Sequence, residues 1–165
     1  AGPTCARTLA EHGAQVLKIT GAHLPSLGRQ EYDTGHGKLS AHLDLREARD
    51  AERLRELVRG SDIFSQGYRP GTLGGRGFSP EALAQMRPGI IAVSLSAFGH
   101  EGPWASRRGF DTVVQTVSGI THRQGDSRQH SLRSRICPLI LSSVQRELAC
   151  STRTRSLWLL RKRSL

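Results

Sequence analysis

The chain has 165 residues, a formal net charge of +10 and 5% aromatic residues. That length suffices for one domain with a sizeable core, but so few rings cannot build a stacking surface for single-stranded nucleic acid. Cys5, Cys137 and Cys150 are too far apart to indicate a disulfide framework or a zinc knuckle, and no apolar run approaches the length that crosses a bilayer.

The predicted elements alternate between helix and strand over the first 125 residues. Thr4 can cap a helix over Cys5–His12 that stops at Gly13. Gln15–Ile19 reads as a short strand, residues 20–38 as a polar, Gly-rich loop, and Ala41–Leu45 as a second strand. Glu47–Arg59 has the clearest helical period, with Ala51, Leu54, Leu57 and Val58 on one face and Gly60 beyond its end. Ile63-Phe64 marks a third strand. Gly67–Gly77 must be a loop, because five glycines and a proline hold no regular element. Ser79-Pro80-Glu81 combines an N-cap, a proline at the first helical position and an acid in the first turn. Ile90–Leu95 is a nearly continuous apolar run, the pattern of a strand buried on both faces. Phe110–Val117 predicts a final helix, with Asp111 as its cap and Gly119 as its stop.

This alternation implies an α/β fold, a Rossmann-like open and mainly parallel sheet with flanking helices. Ligands of such sheets sit at the carboxyl ends of the strands. Chemistry is therefore expected in the loops after Ile19, Leu45, Ser65 and Leu95.

Beyond Gly125 the composition changes. All 18 glycines lie at or before that residue. In residues 127–165, Ser, Arg and Leu contribute eight positions each, which is what an out-of-frame reading or a disordered segment would give. Eight arginines and Lys162 face only Glu147 there, whereas residues 1–126 set 15 basic against 13 acidic side chains. The charge excess belongs to the tail. Two units follow: residues 1–125, a partial α/β domain, and residues 126–165, an irregular basic tail expected to pack poorly.

Several catalytic signatures fail. Gly37-Lys38 is followed by Leu39, and Tyr32 stands where a P-loop needs its first glycine. His100-Glu101 lacks the second histidine of a zinc protease helix, no Gly-x-Ser-x-Gly elbow surrounds Ser94 or Ser96, and no metal site is indicated. The glycines of residues 71–77 lack dinucleotide-fingerprint spacing and read as turn glycines.

Five stretches in order carry a stronger signal. They are Ala1-Gly2-Pro3 leading to Gly13-Ala14 and Val16–Ile19; Lys38 with Leu43-Asp44-Leu45-Arg46; Asp62-Ile63 running into Tyr68-Arg69-Pro70-Gly71-Thr72-Leu73; Pro88 through Ser94–Gly99 to Gly102-Pro103; and Gly109-Phe110-Asp111 with Gln115 and Ser118-Gly119. Together, across residues 1–125, they resemble the class III (CaiB/BaiF-type) coenzyme A transferases.

The resemblance implies transfer of coenzyme A from an acyl-CoA to a small carboxylic acid, with no permanently bound cofactor and coenzyme A as substrate. An aspartate carboxylate would attack the thioester and expel the CoA thiolate, leaving a mixed anhydride; the thiolate would return to form an aspartyl-CoA thioester. The CoA site would fall on Ala1, Leu43, Asp44, Leu45, Arg46, Gly67, Tyr68, Arg69, Arg76, Arg107, Arg108, Gly109 and Phe110. Gly21 and Gly75 stand where relatives carry basic residues, with Arg76 beside the second. Phe110 fills the place of a racemase-branch histidine, which favours the transferase branch.

The window expected to hold the nucleophile, Cys137–Ser142, contains no acid. No catalytic residue is therefore assigned, and an inactive chain, incomplete at both ends, is expected. Intact relatives would be cytoplasmic homodimers, with neither nucleic acid nor membrane as partner. The alternative is a non-catalytic basic module binding nucleic acid or an acidic membrane through residues 128–163.

Overall fold

Leu157-Trp158-Leu159-Leu160, inside the basic tail, is the most enclosed strand of the protein. In the computed structural model, which describes residues 2–21, 29–109, 111–119 and 157–161, these four residues are all at most 3% exposed. The elements run α1 (Gly2–Glu11), β1 (Gln15–Thr20), α2 (Arg29–Gly35), β2 (Lys38–His42), α3 (Ala48–Arg59), β3 (Ile63–Gln66), a 3₁₀ turn (Gly74–Arg76), α4 (Pro80–Met86), β4 (Ile91–Ser94), α5 (Asp111–Val117) and β5 (Leu157–Arg161).

The sheet order is β2-β1-β5-β3-β4. β1 pairs parallel with β2, and β3 parallel with β4. β5 lies between the two pairs, antiparallel to both β1 and β3. The four strands other than β5 therefore point the same way, and their carboxyl ends share one edge. The fold is a mixed α/β sheet with flanking helices, as expected apart from its antiparallel centre.

β5 alternates between two cores, as the two-residue period of a strand requires. Leu157 and Leu159 join Ile19, Leu54, Val58, Phe64, Leu73, Phe78 and Leu83 beneath α3 and α4. Trp158 and Leu160 join Ala6 and Val16 beneath α1. Leu159 stands opposite Leu17 on one side and Phe64 on the other. The expectation of a poorly packed tail is thus corrected for residues 157–161. A short apolar run does not reveal in sequence that a slot with two open strand edges awaits it.

Other expectations shift. α1 begins at Gly2, so Thr4 lies inside it. The loop expected over residues 20–38 contains α2. The second strand covers Lys38–His42, leaving Leu43–Leu45 to the loop that follows. β4 forms where the apolar run predicts it but is exposed along its whole length, with Ile91 57% exposed. Among the described residues it is an edge strand whose one sheet neighbour is β3.

α3 and α4 match their signals closely. Leu54 and Val58 are fully buried on the predicted face, and Ser79 Oγ accepts from the Ala82 amide at the head of α4. Phe64 of β3 stacks on Phe78 with ring centroids 6.4 Å apart, which ties the loop before α4 to the sheet.

Candidate functional site

Every expected site residue that the structure describes lies in a segment that leaves the carboxyl end of a parallel strand. Leu43–Arg46 follow β2, Gly67–Arg69 follow β3 with Arg76 in the 3₁₀ turn beyond, and Arg107–Gly109 end the loop after β4. Ala1 and Phe110 lie outside the described residues, as does the window Cys137–Ser142. Asp111 is the first residue of α5, and its side chain is not among those described.

The loop after β2 is fixed by its own polar groups. The Leu43 amide donates to the Thr20 carbonyl at 2.9 Å, which extends the parallel ladder by one rung. The Asp44 amide donates to Asp50 Oδ2 at 2.8 Å, fastening the loop to the first turn of α3. The Arg46 amide and Nε then donate to Asp44 Oδ1 at 3.0 and 2.8 Å, and Nη2 reaches Oδ2. That hydrogen bond to Asp44, followed by the attraction of its charge, raises the Arg46 pKa above its already high ordinary value. The guanidinium is permanently charged, yet a ligand must share it with Asp44.

Arg76 makes the connection that joins two of these loops. Its Nη1 donates to the Leu45 carbonyl at 2.5 Å, so a guanidinium from the segment after β3 is anchored on the loop after β2. Arg69 and Arg108 are both exposed, and the Arg69 carbonyl accepts from the Thr72 amide at 3.1 Å. Tyr68 packs its ring against the core beside Leu43 and Leu45. Its amide donates to Gln66 Oε1 at 2.6 Å, which sets the direction of the chain as it leaves β3.

The third loop is built on aromatic contacts and one close approach. Phe98 meets Trp104 edge to face at 5.5 Å, and the Arg107 guanidinium lies 5.1 Å from the Trp104 centroid. Gly109 is buried; a Cβ there would lie 2.1 Å from the Ala97 Cβ, so no other residue fits without moving the loop. The structure ties Arg76 to the Leu45 carbonyl in the loop that carries Arg46, while Arg69, Arg107 and Arg108 lie in segments that follow β3 and β4. Asp50 and Gln66, which hold two of the loops, were not singled out by the sequence. Gln66 could have been, as a polar residue closing an apolar strand.

An open sheet with basic, glycine-bearing loops along the carboxyl ends of its parallel strands is the architecture of a phosphate-bearing ligand site in an α/β protein. The profile of CoA-transferase family III matches residues 1–138, and the chain belongs to that family. It is 34% identical over 135 residues to the acetyl-CoA:oxalate CoA-transferase of Acetobacter aceti, covering 75% of this chain and 35% of that protein. It is 33% identical over 129 residues to the human alpha-methylacyl-CoA racemase, covering 78% of this chain and 33% of that protein. The crystal structure of a CaiB/BaiF family protein from Brucella suis superposes with a TM-score of 0.73 at 26% identity, over 91% of this chain and 45% of that one. The chain thus spans about a third of these curated relatives and under half of the solved chain. Among the described residues no group of His, Cys, Asp and Glu could hold a metal ion, and no helix is long and apolar enough to cross a membrane.

Proposed function

We propose that this chain binds coenzyme A, free or as an acyl thioester, in the loops at the carboxyl edge of its sheet, and that it represents the CoA-binding part of a transferase that passes coenzyme A to a small carboxylic acid. One observation carries the reading: Arg76 reaches across to the Leu45 carbonyl beside Arg46. Two loops the sequence singled out separately are therefore tied together, and each brings an arginine to the junction. The ligand's phosphates would draw Arg46 partly away from Asp44 and meet Arg69 and Arg108, which have no competing acid bonded to them among the described residues. Charge-assisted hydrogen bonds of this kind are the strong ones.

Phe110, in place of a proton-moving histidine, supports transfer over racemisation, because a phenyl ring exchanges no protons. The acid-free window Cys137–Ser142 supports a chain that binds but does not turn over, since covalent exchange without its carboxylate loses most of its rate. Assembly as a homodimer is proposed for the intact enzyme on the family pattern.

The test is calorimetric titration of CoA into the full chain, after circular dichroism has shown that each variant is folded. Arg46→Ala and Arg108→Ala should each weaken binding by about 1.5–3 kcal/mol, the usual range for a hydrogen bond to a charged group. The Arg46 effect should lie at the lower end because Asp44 competes. CoA affinity indifferent to both substitutions would overturn the site. An acyl-exchange assay with short acyl-CoA donors should give background rates; turnover lost in Asp111→Asn would show that Asp111 is the nucleophile.

A further inference from the structure

Ser94 and His100 match no catalytic motif in sequence, yet the fold places them in contact. Gln66 closes β3 and Ser94 closes β4, and the two are register partners at the end of the parallel ladder. The Tyr68 amide donates to Gln66 Oε1 at 2.6 Å. A backbone N–H can only donate, so this bond fixes which end of the amide is oxygen. Gln66 Nε2 must then face outward, and it donates to Ser94 Oγ. His100 Nε2 lies 2.8 Å from the same Oγ.

A hydroxyl that already accepts a hydrogen bond is a stronger donor. Run head to tail, the chain would pass from the Tyr68 amide to Gln66, from Gln66 to Ser94 and from Ser94 to His100. With Nε2 accepting, the neutral imidazole carries its proton on Nδ1. The turn beneath is braced, because Ser96 Oγ donates to the Gly99 carbonyl at 2.7 Å immediately before His100. Ser94 and His100 are both exposed, and among the described residues nothing accepts from the Nδ1 side. A directed polar chain ending in an unspent donor, on the edge where such sheets bind ligands, suits an acceptor that the described residues do not supply.

We propose that His100 is a ligand-contacting residue whose Nδ1–H donates to a carbonyl or carboxylate oxygen, with Ser94 and Gln66 as the positioning residues that hold its tautomer. The ligand oxygen belongs to the acyl group of an acyl-CoA or to the free acid that accepts the CoA. The substrate class rests on the proposed function; the tautomer does not.

Ring-nitrogen NMR on the histidine-labelled full chain tests both parts, with acetyl-CoA, CoA and acetate as probes. His100 should show Nδ1 protonated in the free protein, and Ser94→Ala should shift it toward the Nε2–H form while circular dichroism is unchanged. Acetyl-CoA or acetate should move the Nδ1 signal, and CoA without an acyl group should not. A response to acetyl-CoA alone assigns the thioester carbonyl, and a response to acetate assigns the free acid. His100→Ala should weaken the responding probe about 3- to 10-fold, the range for one neutral hydrogen bond. An Nε2–H tautomer in the free protein, or a ring unmoved by either acyl probe, overturns the proposal. A ring that responds to acetate while Arg46→Ala and Arg108→Ala leave CoA affinity unchanged would defeat the proposed CoA site and leave the His100 contact standing.

Discussion

Lys38 holds Trp158 in place from the edge of the sheet. Its ammonium lies 5.7 Å from the centroid of the indole ring and donates to the Pro3 carbonyl at 2.6 Å. The first turn of α1, the first residue of β2 and the centre of β5 thus meet at one side chain. Gly2 completes the junction: a Cβ there would lie 2.9 Å from the Trp158 ring and 2.8 Å from Leu95 Cδ1. The fit is close but leaves the buried Trp158 Nε1 without a hydrogen-bond partner among the described residues.

Since β5 alone joins the two parallel pairs in the hydrogen-bonded ladder, truncating its side chains should destabilise the whole sheet. Leu159→Ala removes a core side chain from between Leu17 and Phe64 and should cost about 2–5 kcal/mol; Trp158→Ala should cost about 3–5 kcal/mol. Urea unfolding followed by circular dichroism measures both. Losses below about 1 kcal/mol would mean that β5 is not part of the stable sheet.

Limited proteolysis should report the β5 pairing. Trypsin should cut after the exposed Arg108 well before Arg161, whose backbone is paired with Gln15. Cleavage after Arg161 as early as after Arg108 would argue against the β5 pairing.

Gly109→Ala should damage the loop after β4, because its Cβ would overlap that of Ala97. Overpacking of this kind costs about 1–3 kcal/mol. The displacement should also weaken CoA binding by moving Arg107 and Arg108. Unfolding and titration on the same sample check the two effects together, and unchanged values in both would refute the contact.

Glu81 gives a pH signature. Its own backbone amide and then the Ser79 hydroxyl hydrogen-bond to the carboxylate, which lowers its pKa from 4.5. A group with a depressed folded-state pKa adds stability above its unfolded value and loses it as pH falls through the folded one. Glu81→Gln should therefore flatten the acid limb of the stability profile below about pH 4.5 and leave the limb above pH 7 unchanged. Ser79→Ala should cost about 1 kcal/mol as a lost N-cap and remove part of the same pH dependence.

The sequence by itself determined the elements whose signals are local. Ser79 caps α4 because its hydroxyl and the Ala82 amide are three residues apart, and α3 buries Leu54 and Val58 because a helix brings positions four apart to one face. The loops of the candidate site were legible for the same reason, since glycine and proline act on their own backbone. Family membership was readable from short stretches in order, now matched over residues 1–138. What only the tertiary structure decided depends on partners distant in the chain. Leu157–Arg161 looks like a fragment of a basic tail until β1 and β3 offer it two edges, and Ile91–Ser94 looks central until only β3 pairs with it. Arg76 beside Leu45, and Gln66 on Ser94, are likewise products of strand order: a side chain's spacing along the chain says nothing about which loop or strand the sheet will bring beside it.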